Sequence, residues 1–225
     1  MIPLPIRKYN IIYADPAWKY NDTGSIKSID DKYLTLETEE LCKLPIQDLA
    51  DKDCILLMWV TYPKLPDGLR LMQEWGFQYK TVAFTWVKMN KDKPSPFVGM
   101  GMWTRSNAEI CLLGVKGNPK RANLDVQQVI LSKIRKHSQK PDEVYTRIER
   151  LMGNLPRVEL FAREKREGWD VWGNQIPNST QLILSVEEKM EVKSGCDAND
   201  DGIPPNNKLL GILPDELSKL SGWSQ

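Results

Sequence analysis

Histidine is nearly missing from this chain: His137 is the only one in 225 residues. The four cysteines, Cys42, Cys54, Cys111 and Cys196, are dispersed, and no Cys-x-x-Cys pair occurs. Zinc ligation needs clustered nitrogen and sulfur donors at set spacings, so no metal site is expected. Cys54 and Cys111 lie inside apolar runs and read as reduced core residues. No apolar run reaches the length of a membrane span. The opening stretch Met1-Ile2-Pro3-Leu4-Pro5-Ile6-Arg7 has no signal-peptide layout. Together these point to a cytoplasmic protein with no membrane partner. Internal repeats are missing too. Net charge is only +1, so global charge announces no polyanionic partner. The stretch Val98-Gly99-Met100-Gly101 lacks the third glycine of a dinucleotide turn and stands between no strand and helix.

What is present is an apolar fraction of 41%, enough for a sizeable core, and an ordinary charged fraction of 27%. Composition changes near Asn178, where Ser-, Asp-, Asn- and Pro-rich stretches begin. The chain therefore divides into a domain over 1–177 and an appendage over 178–225.

Ile11-Ile12-Tyr13 is apolar on both faces and reads as a buried strand of a parallel sheet. Thr38 with Glu39 and Glu40 marks a helix start, and Pro45 should end that helix before a shorter turn through Ile46 and Leu49. Cys54 to Val60 is a second buried strand, and Leu69, Met72 and Trp75 fall at helical spacing with Gly76 as C-cap. Thr81 to Val87 follows as a strand with Val82, Phe84 and Trp86 on one face. Such a strand–helix–strand series suits parallel crossover units. Ile110 to Val115 and Val158 to Ala162 read as further strands, with a short one at Asp170-Val171-Trp172. Val129-Ile130-Leu131 fits either a short strand or a helical turn. Pro141, Asp142 and Glu143 suit a helix start, with Val144, Ile148 and Leu151 on its apolar face and Gly153-Asn154 as its stop.

The first strand runs directly into Asp15-Pro16-Ala17-Trp18. In open α/β sheets, ligands bind beyond the carboxyl ends of the strands. An acid there could accept hydrogen bonds from an exocyclic adenine amine, jointly with the Pro16 carbonyl, while Trp18 stacks on the extruded base. A strand-ending turn with a core tryptophan fits the same four residues. Two basic groups, Lys116 to Lys140 and Arg157 to Arg166, suit either phosphate contact or a solvated face.

Several motifs then occur in one order: Asp15-Pro16-Ala17-Trp18; Trp103-x-Arg105-x-x-x-Glu109; Lys116-Gly117-Asn118-Pro119; His137-Ser138-x-Lys140-Pro141-Asp142-Glu143-Val144-Tyr145; Ile148-Glu149-Arg150-Leu151; Glu159-Leu160-Phe161-Ala162-Arg163; and Gly168-Trp169-Asp170-Val171-Trp172-Gly173-Asn174-Gln175. Over residues 10 to 176 this series resembles the MT-A-seventy family of S-adenosylmethionine-dependent adenine-N6 methyltransferases. The compact form is closest in kind to the family's bacterial and phage DNA branch. The resemblance implies an α/β Rossmann-like methyltransferase fold. Its central sheet is mostly parallel and flanked by helices, and the catalytic motif precedes the cofactor motif.

The resemblance further implies S-adenosylmethionine as cofactor and direct in-line methyl transfer to adenine in DNA. RNA is the alternative acceptor, and a non-catalytic nucleic-acid-binding scaffold the alternative class. The chain would act alone or in a homo- or hetero-oligomer. Asp15, Pro16 and Trp18 are the implied catalytic residues. Asp15, Lys140, Glu159, Phe161, Arg163, Asn174 and Gln175 would hold the cofactor. Trp18, Tyr33, Trp103, Arg105 and Glu109 would face the acceptor. Ala17 stands where the family usually has a second proline, which loosens the turn. Lys165 and Arg166 replace a histidine and an asparagine found in some relatives and are left out of the cofactor set.

Overall fold

A computed structural model describes residues 7–20, 35–99, 101, 103–135, 138–174 and 176. The expected appendage over 178–225 lies outside these residues. Seven strands form one sheet: β1 (Tyr9–Ala14), β2 (Ala50–Val60), β3 (Gln78–Met89), β4 (Ala108–Lys116), β5 (Val129–Lys133), β6 (Arg157–Leu160) and β7 (Asp170–Trp172). Three α-helices are described: α1 (Thr38–Cys42), α2 (Leu65–Glu74) and α3 (Glu143–Met152). The spatial order is β5-β3-β4-β2-β1-β6-β7. β4 runs antiparallel to both of its neighbours, and every other pairing is parallel. This is the mostly parallel, Rossmann-like α/β sheet that was expected. No described helix is long and apolar enough to cross a membrane.

Ile11–Ala14 of β1 and Cys54–Val60 of β2 are apolar and buried because both sheet faces are covered there. One core holds Ile12, Ala14, Leu56, Met58 and Val158 with Leu41 of α1 and Leu71, Met72 and nearby Trp75 of the α2 end. The other holds Ile11, Tyr13, Ile55, Leu57, Trp59 and Ile130 with Val144, Ile148 and Met152 of α3. The register sets Ile11 against Ile55 and Tyr13 against Leu57, so each face is continuous from strand to strand.

Helix ends follow their local chemistry. α2 stops where Gly76 takes φ 80° and the Gly76 and Phe77 amides bond the carbonyls of Gln73 and Met72, a Schellman closure. Gly68 lets α2 approach the sheet: a Cβ there would lie 2.5 Å from Val60 Cγ1. α1 begins at Thr38, as expected. Glu37 is its cap, and the Glu40 carboxylate accepts the Glu37 amide at 2.7 Å. α3 starts at Glu143, so Pro141 lies in the turn before it and not at its first position. Gly153, at φ 77°, ends it.

One strand reading left open is decided and one changes. Val129-Ile130-Leu131 is edge strand β5, with Ile130 buried and its neighbours outward. Val82, Phe84 and Trp86 do not share a face. Val82 pairs with Leu112 and Phe84 with Cys111, so Ala83 is an extra residue in β3. A bulge of one residue inverts the side-chain alternation. Val82 accordingly packs toward the α2 side, and Phe84 and Trp86 toward α3.

Trp75 is fully buried and its Nε1 donates to the Leu41 carbonyl at 2.9 Å, joining α1 to α2. Trp75→Ala is expected to lower stability by about 3–5 kcal/mol, read as a lower urea midpoint at unchanged m.

Candidate active site

Every parallel strand points its carboxyl end to the same edge of the sheet. There β1 delivers Asp15, β2 delivers Thr61 and β6 delivers Glu159 and Phe161. Because β4 is antiparallel, its beginning and not its end reaches this edge, and Glu109 pairs with Trp86 near the end of β3. The chain leaves β1 for β2 on one side and returns as β6 on the other. The site therefore lies at a topological switch point.

Four charged side chains alternate in sign here. Lys140 Nζ donates to both oxygens of Asp15 at 2.8 Å and lies 3.2 Å from Glu109 Oε2. Lys88 Nζ takes the other Glu109 oxygen at 2.5 Å. Lys140 also stands 5.6 Å over the Trp59 ring, and Lys88 5.2 Å over the Trp86 ring. The Lys140 side chain is 11% exposed and that of Glu109 14%, so these pairs sit largely out of water.

Burial and charge contend in this row. Burial holds the Asp15 carboxyl above its ordinary value, and Lys140 only limits the rise. Glu109 goes the other way: burial would raise it, but Lys140 and Lys88 together bring it below the ordinary value. Burial would strip Lys140 of its proton, yet Asp15 and Glu109 outweigh that and raise its pKa.

Beside the row, Glu159 accepts from the Tyr145 hydroxyl at 2.9 Å. Burial pushes Glu159 up to about 7, aided by the charge of Asp15 and opposed by the Tyr145 bond. Tyr145 packs edge-on against Tyr13 and Trp169. Arg166 lies 3.7 Å over the Tyr145 ring and pairs with Asp142 at 2.8 Å. Arg135 bonds Asp142 and the Lys140 carbonyl, each at 2.5 Å. Arg135, Asp142 and Arg166 thus fix the backbone that carries Lys140. Nothing in their spacing gave this away, because they meet only through the fold.

The structure places the expected site residues unevenly. Asp15, Lys140, Glu109 and Glu159 come together. Pro16 is buried, and its carbonyl already accepts the Trp18 amide at 2.9 Å, leaving its second lone pair. Trp18 departs from an open stacking surface: it is 6% exposed in the core, with Nε1 on the Trp59 carbonyl at 3.2 Å. Phe161 takes φ 61° at the tip of β6 and packs edge-on against Trp172. Ser138, two residues before Lys140, is likewise left-handed at φ 59°. Such backbone is uncommon in non-glycine residues and clusters at working sites.

Arg163 is exposed, and its charge acts on Asp15. Asn174 is exposed just past β7. Trp103 is 98% exposed and Arg105 exposed, both before β4 and outside the charged row. Tyr33, His137 and Gln175 lie outside the described residues. In the basic groups, Arg135 and Arg166 bind Asp142, and Arg157 lies 5.5 Å over the Trp169 ring, so these three serve the fold.

An MT-A70 family model matches residues 9–175. The chain is 37% identical over 210 residues to a type II methyltransferase, M.MunI, of a Mycoplasma species, covering 84% of this chain and 87% of that protein. It is 34% identical over 173 residues to the N(6)-adenosine-methyltransferase catalytic subunit METTL3 of Homo sapiens, covering 75% of this chain and 28% of that one. An MT-A70-like N(6)-adenosine-methyltransferase of Arabidopsis thaliana is 32% identical over 179 residues, with 78% and 24% covered. The chain therefore spans only about a quarter of these two larger relatives.

Between its ordinary value of 4.5 and about 7, Glu159 holds more proton in the folded chain than in the unfolded one. Wild-type stability therefore falls as pH rises through that window. Glu159→Gln removes the titration, so the variant should gain on wild type between pH about 5 and about 8 in paired urea titrations.

Proposed function

The chain belongs to the MT-A70 family, and on that footing we propose that it transfers a methyl group from S-adenosylmethionine to the exocyclic N6 amine of adenine in DNA. The observation that carries this reading is the position of Asp15: a desolvated acid at the end of the first strand, tethered by Lys140 and beside the β6 tip. DNA is favoured over RNA by the extent of likeness. The chain covers 87% of the type II methyltransferase but 28% and 24% of the two N(6)-adenosine-methyltransferases.

The donor set fits the cofactor. A ribose calls for a carboxylate such as Glu159, and an amino-acid carboxylate for a point-charge donor such as Lys140. Asn174 past β7 adds an amide, and Arg163 a cation. Phe161 at the β6 tip would line the cofactor. When bound, S-adenosylmethionine supplies an electrophilic methyl group on a sulfonium.

The residues then have distinct tasks. The adenine amine is a poor nucleophile because its lone pair is delocalised into the ring. Asp15 and the free lone pair of the Pro16 carbonyl would accept its two N–H bonds and fix its direction. Asp15 must first yield oxygen to the amine. Lys140 can release it without becoming an unpaired buried charge, because Glu109 already shares its ammonium. Lys88 keeps Glu109 ionised for that exchange. Positioning and a preset field would supply most of the acceleration. The exposed Trp103 and Arg105, and Tyr33, are proposed as outer contacts to the nucleic acid.

Incubating the protein with methyl-labelled S-adenosylmethionine and matched DNA or RNA tests the reading. Label in DNA adenine is expected, and Asp15→Ala should lower it by at least about 10²–10³-fold while the cofactor still binds. Near-wild-type turnover by that variant would sink the assignment. Label in RNA alone would move the acceptor, and a bound cofactor with no label in either would favour a scaffold. Lys140→Met should drive Asp15 further up in pKa, so the acid limb of the kcat/KM profile should move to higher pH.

A further inference from the structure

The motif tryptophan is spent on the core. Trp18 belongs to the core that also holds Met58, Val60 and Leu160, its indole N–H is committed to the Trp59 carbonyl, and 6% of it is exposed. Base extrusion needs an aromatic face that a planar ring can cover. Two residues on, Tyr20 is only half-buried. Its hydroxyl meets Thr61 Oγ1 at 2.6 Å, immediately past the end of β2. Lys64 Nζ stands 5.7 Å from its ring centroid and is itself held by Asp67 at 3.1 Å. The segment leading to Tyr20 is tied down as well: the Lys19 amide bonds Leu36 O at 3.2 Å, and the Leu36 amide bonds Ala17 O at 2.9 Å.

This ring sits past the end of β2, on the same sheet edge that carries the charged row. The charges of Glu109, Lys140 and Asp15 all act on the Tyr20 hydroxyl. A phenol fixed at its oxygen, with a cation over its ring, has little rotamer freedom left to lose on binding. Tyr20 packs partly against the core that holds Trp18, and the rest of its side chain stays open at the rim. We propose that Tyr20, and not Trp18, is the aromatic that stacks on the acceptor adenine, with Thr61 and Lys64 as the positioning residues that hold its ring. The assignment rests on the adenine-methyltransferase reading for its biological sense, but it concerns base binding and can be measured without turnover.

Fluorescein-labelled oligo(dA) and an abasic oligomer of equal length are titrated by anisotropy against wild type, Tyr20→Phe and Tyr20→Ala. Wild type and Tyr20→Phe should prefer oligo(dA). Tyr20→Ala should lose about 10-fold or more of that preference, the scale of one base–aromatic stack. Full preference in Tyr20→Ala, equal loss in Tyr20→Phe, or no preference in wild type would each overturn the assignment. Methyl-label incorporation is read in parallel. No label with the ring-dependent preference intact would sink the methyltransferase reading and leave the stacking residue standing. Label with no ring dependence would do the reverse.

Discussion

One ammonium group holds the open edge of the sheet together. Lys140 is largely out of water, where a lone lysine would give up its proton. It stays charged because Asp15 and Glu109 approach it from two strands, β1's end and β4's start. Those two acids in turn can lie close together only because the lysine stands between them. The bracing follows from this. Arg135 and Arg166 both seize Asp142, two residues past Lys140, and Arg135 also takes the Lys140 carbonyl. A buried charge placed loosely would be a liability, since losing either partner leaves the other uncompensated.

The sheet topology makes the arrangement available. In an all-parallel sheet only strand ends face the ligand edge. Reversing β4 turns a strand beginning toward that edge and adds a carboxylate there without another loop. The same reversal leaves β2 and β3 parallel though not adjacent. Meanwhile β6 lies directly beside β1, with Glu159 in register with Tyr13. Acid chemistry and the proposed cofactor contacts are thereby neighbours in space while lying far apart in the chain.

Strand and helix positions followed from the sequence wherever burial was two-sided or amphipathic. β1, β2, α2 and α3 show it, because apolar periodicity is a local property. The exceptions share one cause: each depends on a partner strand or a distant segment. The bulge at Ala83 reverses the facing of Val82 and is set by pairing with β4. The antiparallel sense of β4 leaves no mark on its composition. Asp15, Lys140 and Glu159 could be singled out through a motif series, yet their ion pairs could not, and Lys88, which reads as the start of a polar loop and lies in β3, was given no part in the site. Trp18 shows the limit most clearly. Its residue type suits both a stacking surface and a core, and only packing decides between them.

The separation of Asp15 from Lys140 is 125 residues. At roughly 5–20 residues per second, a ribosome needs about 6–25 s to make that intervening stretch. Throughout that interval the nascent chain carries β1 with one flank uncovered and an acid that cannot be buried favourably. The β1 side of the sheet is thus completed late, when β6 and then β7 are added. No amino-terminal fragment ending before Lys140 can assemble this charge pair.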